Sequence, residues 1–196
     1  MQAKAKARRQ FKLTFVAVSF LFVLSAGLVR AQIADRPKVG PEQKKLEVFV
    51  GDWTYEGSVS ETPLGPGGKF AGKATFRMVL DGLFLESRAE DKGVYGGKEI
   101  AFKVMAIQWF DSIKQTYLSH SYDNDSFVNN SVMSVSGNTW SSTGAQTDSK
   151  GKSYKTKHSR TLSADGKTML EKLEISTDDG KTWIPYWENT MKKVSK

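Results

Sequence analysis

The stretch GPEQKKLEVFVGDWTYEGSV, residues 40–59, decides the fold, because its apolar residues change there from helical to strand spacing. Pro41 suits the first turn of a helix, and Leu46 and Phe49 would lie on one helical face. From Trp53 onward, apolar and polar residues alternate, which is the pattern of a half-buried strand. The stretch therefore predicts a short helix that leads directly into the first strand of a sheet.

The rest of the chain consists of short alternating segments separated by turn residues, without a long helical pattern. The Asp-Gly pair in LDGL, residues 80–83, predicts a two-residue hairpin. SADGK, residues 163–167, and STDDGK, residues 176–181, predict two more hairpins near the end. We therefore expect an all-β fold, an antiparallel meander of about ten strands. A closed barrel is favoured because closure removes the sheet edges, and a β-sandwich is the alternative.

The stretch STDDGKTW, residues 176–183, resembles the Asp-box of sialidases. Sialidases carry several such boxes, one for each propeller blade, and a propeller needs about four blades of four strands. This chain has one full copy, so the box does not indicate a glycosidase. We interpret it as a stabilised hairpin turn, in which Ser or Asp side chains accept backbone hydrogen bonds and Gly180 supplies a positive φ.

The first 31 residues have the features of a targeting segment. A basic start, residues 4–12, is followed by an apolar run, residues 13–28, and by small residues before Gln32. This order predicts a secretory signal peptide cleaved after Ala31, with an uncleaved membrane anchor as the alternative. RRQFKL, residues 8–13, partly resembles a twin-arginine signal, but the strongly apolar run favours the general secretory route. We expect a linker over residues 32–40, one domain over residues 41–196, and a periplasmic or extracellular location.

Composition excludes several classes of function. Six of the 29 basic residues and none of the 21 acidic residues lie in the first 31, so the remainder carries a net charge of only +2. That surplus is too small to indicate a nucleic-acid partner, and we expect no membrane contact after cleavage. Because the chain has no cysteine, disulfides, thiolate metal sites and cysteine nucleophiles are excluded.

Three stretches resemble known families. EVFVGDWTYEG, residues 47–57, resembles the start of calycin-type barrels, in which the Trp of a Gly-x-Trp motif closes one barrel end; Gly51 and Trp53 fill that motif. Residues 79–93 and 106–123 resemble exported bacterial proteins of domain-of-unknown-function family 1579, although Trp109 stands where that family usually has Gly. The resemblance covers roughly residues 41–194. It implies a calycin- or lipocalin-like barrel and no established activity.

Polar side chains on predicted inward faces are candidate ligand contacts, because alternate residues of a barrel strand face the interior. If Leu118 points inward, His120 and Tyr122 point with it. The inward face of residues 152–162 carries His158 and Arg160, and the face of Met169 carries Glu171. With inward or rim positions on other strands, the predicted ligand-binding residues are Gln108, Trp109, Tyr117, His120, Tyr122, Trp140, His158, Arg160, Glu171 and Trp187. The alternative is that Arg160 and Glu171 form only a cross-strand ion pair.

Three hypotheses follow for function. The favoured one is a barrel that binds a small, partly apolar or amphipathic molecule. The second is a solid barrel that contacts proteins through exposed Tyr186 and Trp187. The third is an enzyme that uses Glu171 and a histidine for acid–base chemistry. We predict no cofactor or metal, because a haem or metal ligated by His120 and His158 would lack the three or four ligands that metal sites usually have.

Overall fold

A computed structural model describes residues 37–62 and 64–195. The predicted signal peptide and most of the predicted linker lie outside the described residues. A short helix, α1 (Pro41–Lys45), continues into a 3-10 turn (Leu46–Phe49). Ten strands follow: β1 (Gly51–Val59), β2 (Gly68–Val79), β3 (Phe84–Tyr95), β4 (Lys98–Asp111), β5 (Thr116–Asp123), β6 (Val128–Ser136), β7 (Thr139–Thr147), β8 (Ser153–Leu162), β9 (Thr168–Ser176) and β10 (Ile184–Lys193).

The ten strands form a closed antiparallel barrel. Each strand pairs with the next along the chain, and β1 pairs with β10 to close the sheet, with Trp53 opposite Lys193 and Val59 opposite Trp187. The predicted all-β meander and barrel are confirmed, and the β-sandwich alternative is wrong. In the described part of the chain, no helix combines the length and hydropathy that a membrane span requires.

The short helix and the turn after it close one end of the barrel. Leu46 and Phe49 are fully buried, and Trp53 at the start of β1 is 1% exposed. The Trp53 indole donates a hydrogen bond from Nε1 to the carbonyl oxygen of Phe49 at 2.9 Å, which ties the turn to the strand. The expectation that this Trp closes a barrel end is confirmed. The opposite end is therefore the entrance to the interior.

The loop at LDGL differs from the predicted two-residue hairpin. β2 ends at Val79 and β3 begins at Phe84, so the loop has four residues. Leu80, Asp81 and Gly82 all have positive φ, at 50°, 60° and 85°. The Asp-Gly pair marks the turn, but a third positive φ lengthens the connection. Leu80 is exposed there, so no core contact holds the chain to the tighter geometry.

The Asp-box-like stretch is a stabilised hairpin between β9 and β10. Asp178 Oδ1 accepts hydrogen bonds from the backbone N–H groups of Lys181 and Thr182, at 3.1 and 2.9 Å. The Thr182 hydroxyl donates to Asp178 Oδ2 at 2.6 Å. These bonds, with one from the Ser176 hydroxyl, lower the pKa of Asp178 to about 2. Gly180 has a φ of 91°, as predicted, so the stretch has a structural explanation.

Candidate functional site

The barrel is hollow because inward positions near its middle carry small side chains. Ala74, Ala89 and Ala106 lie on the inner faces of β2, β3 and β4, and five serines line the same space from β3 and β5–β7. Ten strands also make a barrel wider than the eight-stranded kind that side chains just fill. The space left is a cavity of about 380 Å³, within the range of small-molecule sites.

Aromatic side chains form much of the cavity wall between its middle and its entrance. Seven rings contribute: Tyr55, Phe70, Tyr95, Phe102, Phe127, Tyr186 and Trp187. Tyr186 and Trp187 are half-buried and face the cavity, so they do not form the exposed contact surface expected of a solid barrel. Such walls suit a molecule with an apolar or aromatic body.

A buried ion pair lies at the closed end of the cavity. Arg160 Nε donates to Glu171 Oε1 at 2.5 Å, and Asn189 Nδ2 donates to Glu171 Oε2 at 3.1 Å. The Arg160 guanidinium also lies over the rings of Phe49 and Phe76, at 5.4 and 5.7 Å from their centroids. Phe49 belongs to the turn that closes the barrel, so the ion pair packs directly against that turn.

The ion pair controls the charge of the cavity floor. Burial disfavours the ionised form of Glu171, but the Arg160 charge and the hydrogen bond from Asn189 outweigh it, so the pKa of this carboxyl is lowered. Burial away from water, aided by repulsion from Arg160, lowers the pKa of His158 to about 4. At neutral pH the floor therefore holds one cation, one anion and an uncharged imidazole.

Three polar atoms of this region are buried without a hydrogen-bond partner among the described residues: Gln108 Oε1, His158 Nε2 and Asn189 Oδ1. Gln108 is 2% exposed and Asn189 is 7% exposed. Leaving a buried acceptor unpaired costs roughly 1–3 kcal/mol, so native proteins usually satisfy such atoms. All three residues line the cavity, where a bound molecule can supply the missing bonds.

Carboxylates lie near the cavity entrance. Asp91 on β3 and Asp123 on β5 face inward on either side of β4, where their pairing partners are Phe102 and Val104. Asp91 accepts a hydrogen bond from the Tyr55 hydroxyl at 2.9 Å. Burial nevertheless raises the pKa of Asp91, and it also raises the pKa of Asp123.

The structure brings together six of the predicted site residues around one cavity: Gln108, Tyr122, His158, Arg160, Glu171 and Trp187. The His158 and Trp187 rings pack with centroids 5.3 Å apart. The predicted alternation of inward and outward side chains is confirmed for β8 and β9. It is also confirmed for β4, where Gln108 faces inward.

Trp109 was predicted to rim the cavity and His120 to point into it, and both predicted positions are wrong. Both side chains lie on the outer face of the barrel, where their ring centroids are 5.1 Å apart and Phe84 packs against Trp109 at 6.0 Å. The inward residues of β5 are Tyr117, Ser119 and Ser121, one position away from the predicted set. His120 and His158 therefore do not face the same space.

Two other predicted residues, Tyr117 and Trp140, differ in position from the expectation that they rim the cavity. Tyr117 and Trp140 point inward, but they are 5% and 4% exposed and pack against each other below the cavity, with centroids 4.9 Å apart. They belong to the core around Phe49 and do not rim the cavity. Tyr122 is 43% exposed and borders the cavity at its entrance.

Sequence reasoning missed three residues of the site: Asp91, Asp123 and Asn189. Asn189 alternates with Trp187 and Met191, a signal that was available. Asp91 shares a face with Ala89, but an acidic residue between charged neighbours resembles an outward position. Asp123 was missed because β5 was assigned the opposite face.

The acid–base hypothesis requires Glu171 and a histidine within hydrogen-bonding reach. His158 Nε2 lies 3.8 Å from Glu171 Oε1, beyond a hydrogen bond, while Arg160 occupies that oxygen. A useful general acid or base has a pKa near the working pH, whereas Glu171 and His158 both have lowered pKa values. The geometry suits binding better than proton transfer.

Comparison with known proteins places the chain in a structural context. Residues 38–193 match the model of a family described as "Protein of unknown function (DUF1579)". No curated protein matches the chain. Among solved structures, the chain is similar to Rv2717c from M. tuberculosis, with 11% identity and a TM-score of 0.55 over 81% of this chain and 100% of that one.

Two further solved structures are similar at lower scores. EF1p2_mFAP2b, in a structure with DFHBI bound, has 10% identity and a TM-score of 0.42, covering 78% of this chain and 99% of that one. The S-type phycobiliprotein lyase CPES from Guillardia theta has 11% identity and a TM-score of 0.48, covering 79% of this chain and 93% of that one. At these identities, similarity to Rv2717c supports the barrel fold alone.

Proposed function

We propose that this chain, which belongs to the family described as protein of unknown function (DUF1579), holds a small, partly apolar molecule inside its barrel. The observation that carries the proposal is the cavity of about 380 Å³ with unpaired Gln108 Oε1 and Asn189 Oδ1 at its closed end. A solid barrel would bury these atoms against partners. A hollow one leaves them for a ligand.

The chemistry of the lining supports binding over the alternatives. Aromatic walls contribute apolar contact area, and the few polar groups at the floor would orient a ligand. The floor groups are also fixed in place, because Arg160 and Asn189 both hold Glu171. Preorganised polar groups bind with a smaller entropic cost than mobile ones.

Native mass spectrometry on the exported protein, compared with its mass after denaturation, tests the proposal. We expect the native species to carry a small molecule that is lost on denaturation. Replacing Ala106 with phenylalanine should abolish this difference, because Ala106 faces the cavity and its pairing partners Ser87 and Ser121 leave room for the ring.

The matched control is Ala101→Phe on the same strand. Ala101 is exposed and lies outside the cavity lining, so this variant should retain the bound molecule. A native mass equal to the bare chain in the wild type, or equal retention in both variants, would contradict the proposal.

We further infer that the protein is exported. Support comes from the basic start, the apolar run of residues 13–28 and the small residues up to Ala31. Intact-mass measurement of protein from the culture fluid or the periplasm should show a chain that begins at Gln32. A full-length chain confined to the membrane fraction would favour the anchor alternative.

A further inference from the structure

The charges around the cavity are balanced at its floor and unbalanced at its entrance. Its permanent cation, Arg160, lies at the floor and is paired with Glu171. The other acidic lining residues, Asp91, Asp123 and Asp125, lie near the entrance, and in the described part of the chain none of them forms a salt bridge with Lys or Arg. With His158 uncharged, the lining has a surplus of negative charge, and this surplus lies at the entrance.

The two inward carboxylates are poorly solvated, and within the described residues they have hydrogen bonds but no cationic partner. Asp91 accepts from the Tyr55 hydroxyl, and Asp123 Oδ1 accepts from the backbone N–H groups of Asp125 and Phe127. Asp91 and Asp123 are half-buried, and their side chains border the same cavity from strands on either side of β4. Burying a carboxylate without a cation is costly, and an incoming cation would recover part of that cost. No three acidic or histidine residues of the described part are grouped to hold a metal ion, which points to an organic cation.

Unpaired hydrogen-bond acceptors at the cavity floor place a second, independent requirement on the ligand. Gln108 Oε1 and Asn189 Oδ1 are carbonyl oxygens, so each needs a donor from the ligand. A ligand carboxylate at this end would be attracted to Arg160. It would also face the oxygens of Gln108 and Asn189, to which it has no hydrogen to donate. A hydroxyl or N–H group satisfies the oxygens without opposing the Arg160 charge.

We propose that the ligand is an amine with an apolar or aromatic body, whose ammonium group lies beside Asp91 and Asp123 and whose far end donates a hydrogen bond to Gln108 or Asn189. The inference rests on the proposed function and names the chemical class bound at the same site. The charges set the orientation, because Glu171 neutralises Arg160 at the floor whereas the carboxylates at the entrance have no Lys or Arg partner in the part of the chain that the structure describes. The aromatic rings near the entrance, including Tyr95 and Trp187, add cation–π contacts.

Calorimetric titration with matched probes tests this inference. The first three probes share one body: 4-phenylbutylamine, 4-phenylbutan-1-ol and 4-phenylbutanoate. We expect the amine to bind about tenfold more tightly than the alcohol, and the carboxylate to bind most weakly. A fourth probe, 4-(4-aminobutyl)phenol, should bind more tightly than 4-phenylbutylamine because its hydroxyl supplies a donor for Gln108 Oε1 or Asn189 Oδ1.

Two variants test the contributions of the cavity entrance and the cavity floor separately. Asp91→Asn with Asp123→Asn should remove the preference for the amine over the alcohol, and Asn retains an acceptor for the Tyr55 hydroxyl. Gln108→Leu should reduce the gain from the phenol, because one of the two floor acceptors is lost, and should leave folding intact, since it deletes an unpaired buried oxygen. The control Asp81→Asn makes one such Asp-to-Asn change in an exposed loop outside the cavity lining and should bind as the wild type does.

The outcomes distinguish this inference from the proposed function. Equal binding of amine and alcohol, tightest binding of the carboxylate, or a preference that survives in the double variant would overturn the ligand class and leave the binding function standing. Binding of none of the probes would also overturn the ligand class. The native mass measurement then decides whether the cavity holds a different molecule or none.

Discussion

Replacing Glu171 with methionine should lower the free energy of unfolding by about 3–5 kcal/mol, because it leaves a buried guanidinium without its counter-ion. Arg160 would lose the 2.5 Å bond to Oε1, and Asn189 would lose the 3.1 Å bond to Oε2. Glu171 and Arg160 side chains are only 8% and 13% exposed, so water can replace little of what is lost. Urea unfolding monitored by tryptophan fluorescence measures the change.

A double-mutant cycle separates the interaction energy between Glu171 and Arg160 from the effect of replacing each side chain alone. Arg160→Met alone should also destabilise strongly, whereas the double variant should be more stable than either single variant, because apolar side chains replace a desolvated ion pair at low cost. Phe49 and Phe76 already contact the guanidinium and would pack against the new methionines. Additive losses in the double variant would show that the two charges act independently and would contradict this account.

The control for this cycle is an exposed ion pair on the same barrel. Lys172 and Glu188 approach to 3.6 Å between β9 and β10, but their side chains are 54% and 61% exposed. Glu188→Met should change the free energy of unfolding by less than about 1 kcal/mol, as is usual for exposed pairs. The contrast isolates burial as the cause of the large effect at Glu171.

The barrel could be predicted from the sequence because its signals are local. Alternation from Trp53 onward and turn residues at regular spacing indicate a meander, and the short helix before Gly51 indicates the closed end. The hollow interior was harder to predict. It depends on alanines and serines of neighbouring strands that meet at one height, and that alignment comes from the register between strands.

The errors in the candidate site have one physical cause. Side chains of a strand alternate with a period of two, so a shift by one residue exchanges the faces. β5 offered Tyr117 and Leu118 as equally plausible inward residues, and the aromatic ring is the one that packs in the core. Residues 98–110 are apolar on both faces, so the sequence did not indicate which face of the sheet the Trp109 side chain occupies. Its outer position is covered by Phe84 and His120.

Replacing His158 with glutamine should remove a loss of stability that the wild type shows as the pH falls. The imidazole has a pKa of about 4 in the folded protein and about 6.5 in an unfolded chain. Between these values the unfolded chain binds the proton more tightly, so the free energy of unfolding decreases as the pH is lowered. Between pH 7.5 and 4.5 this lowering amounts to roughly 2–3 kcal/mol, since each unit of pKa difference corresponds to 1.36 kcal/mol.

The comparison of variant and wild type isolates this residue. Asp91 and Asp123, whose pKa values are raised, act in the opposite direction as the pH falls, but they do so equally in both proteins. Urea unfolding at half-unit pH steps should give curves that converge or cross toward pH 4.5 if His158→Gln destabilises at neutral pH, and that diverge if it does not. His120→Gln on the outer face should keep the wild-type dependence. A constant offset between His158→Gln and the wild type would mean that the imidazole is open to water, which would contradict the enclosed cavity floor on which the binding proposal depends.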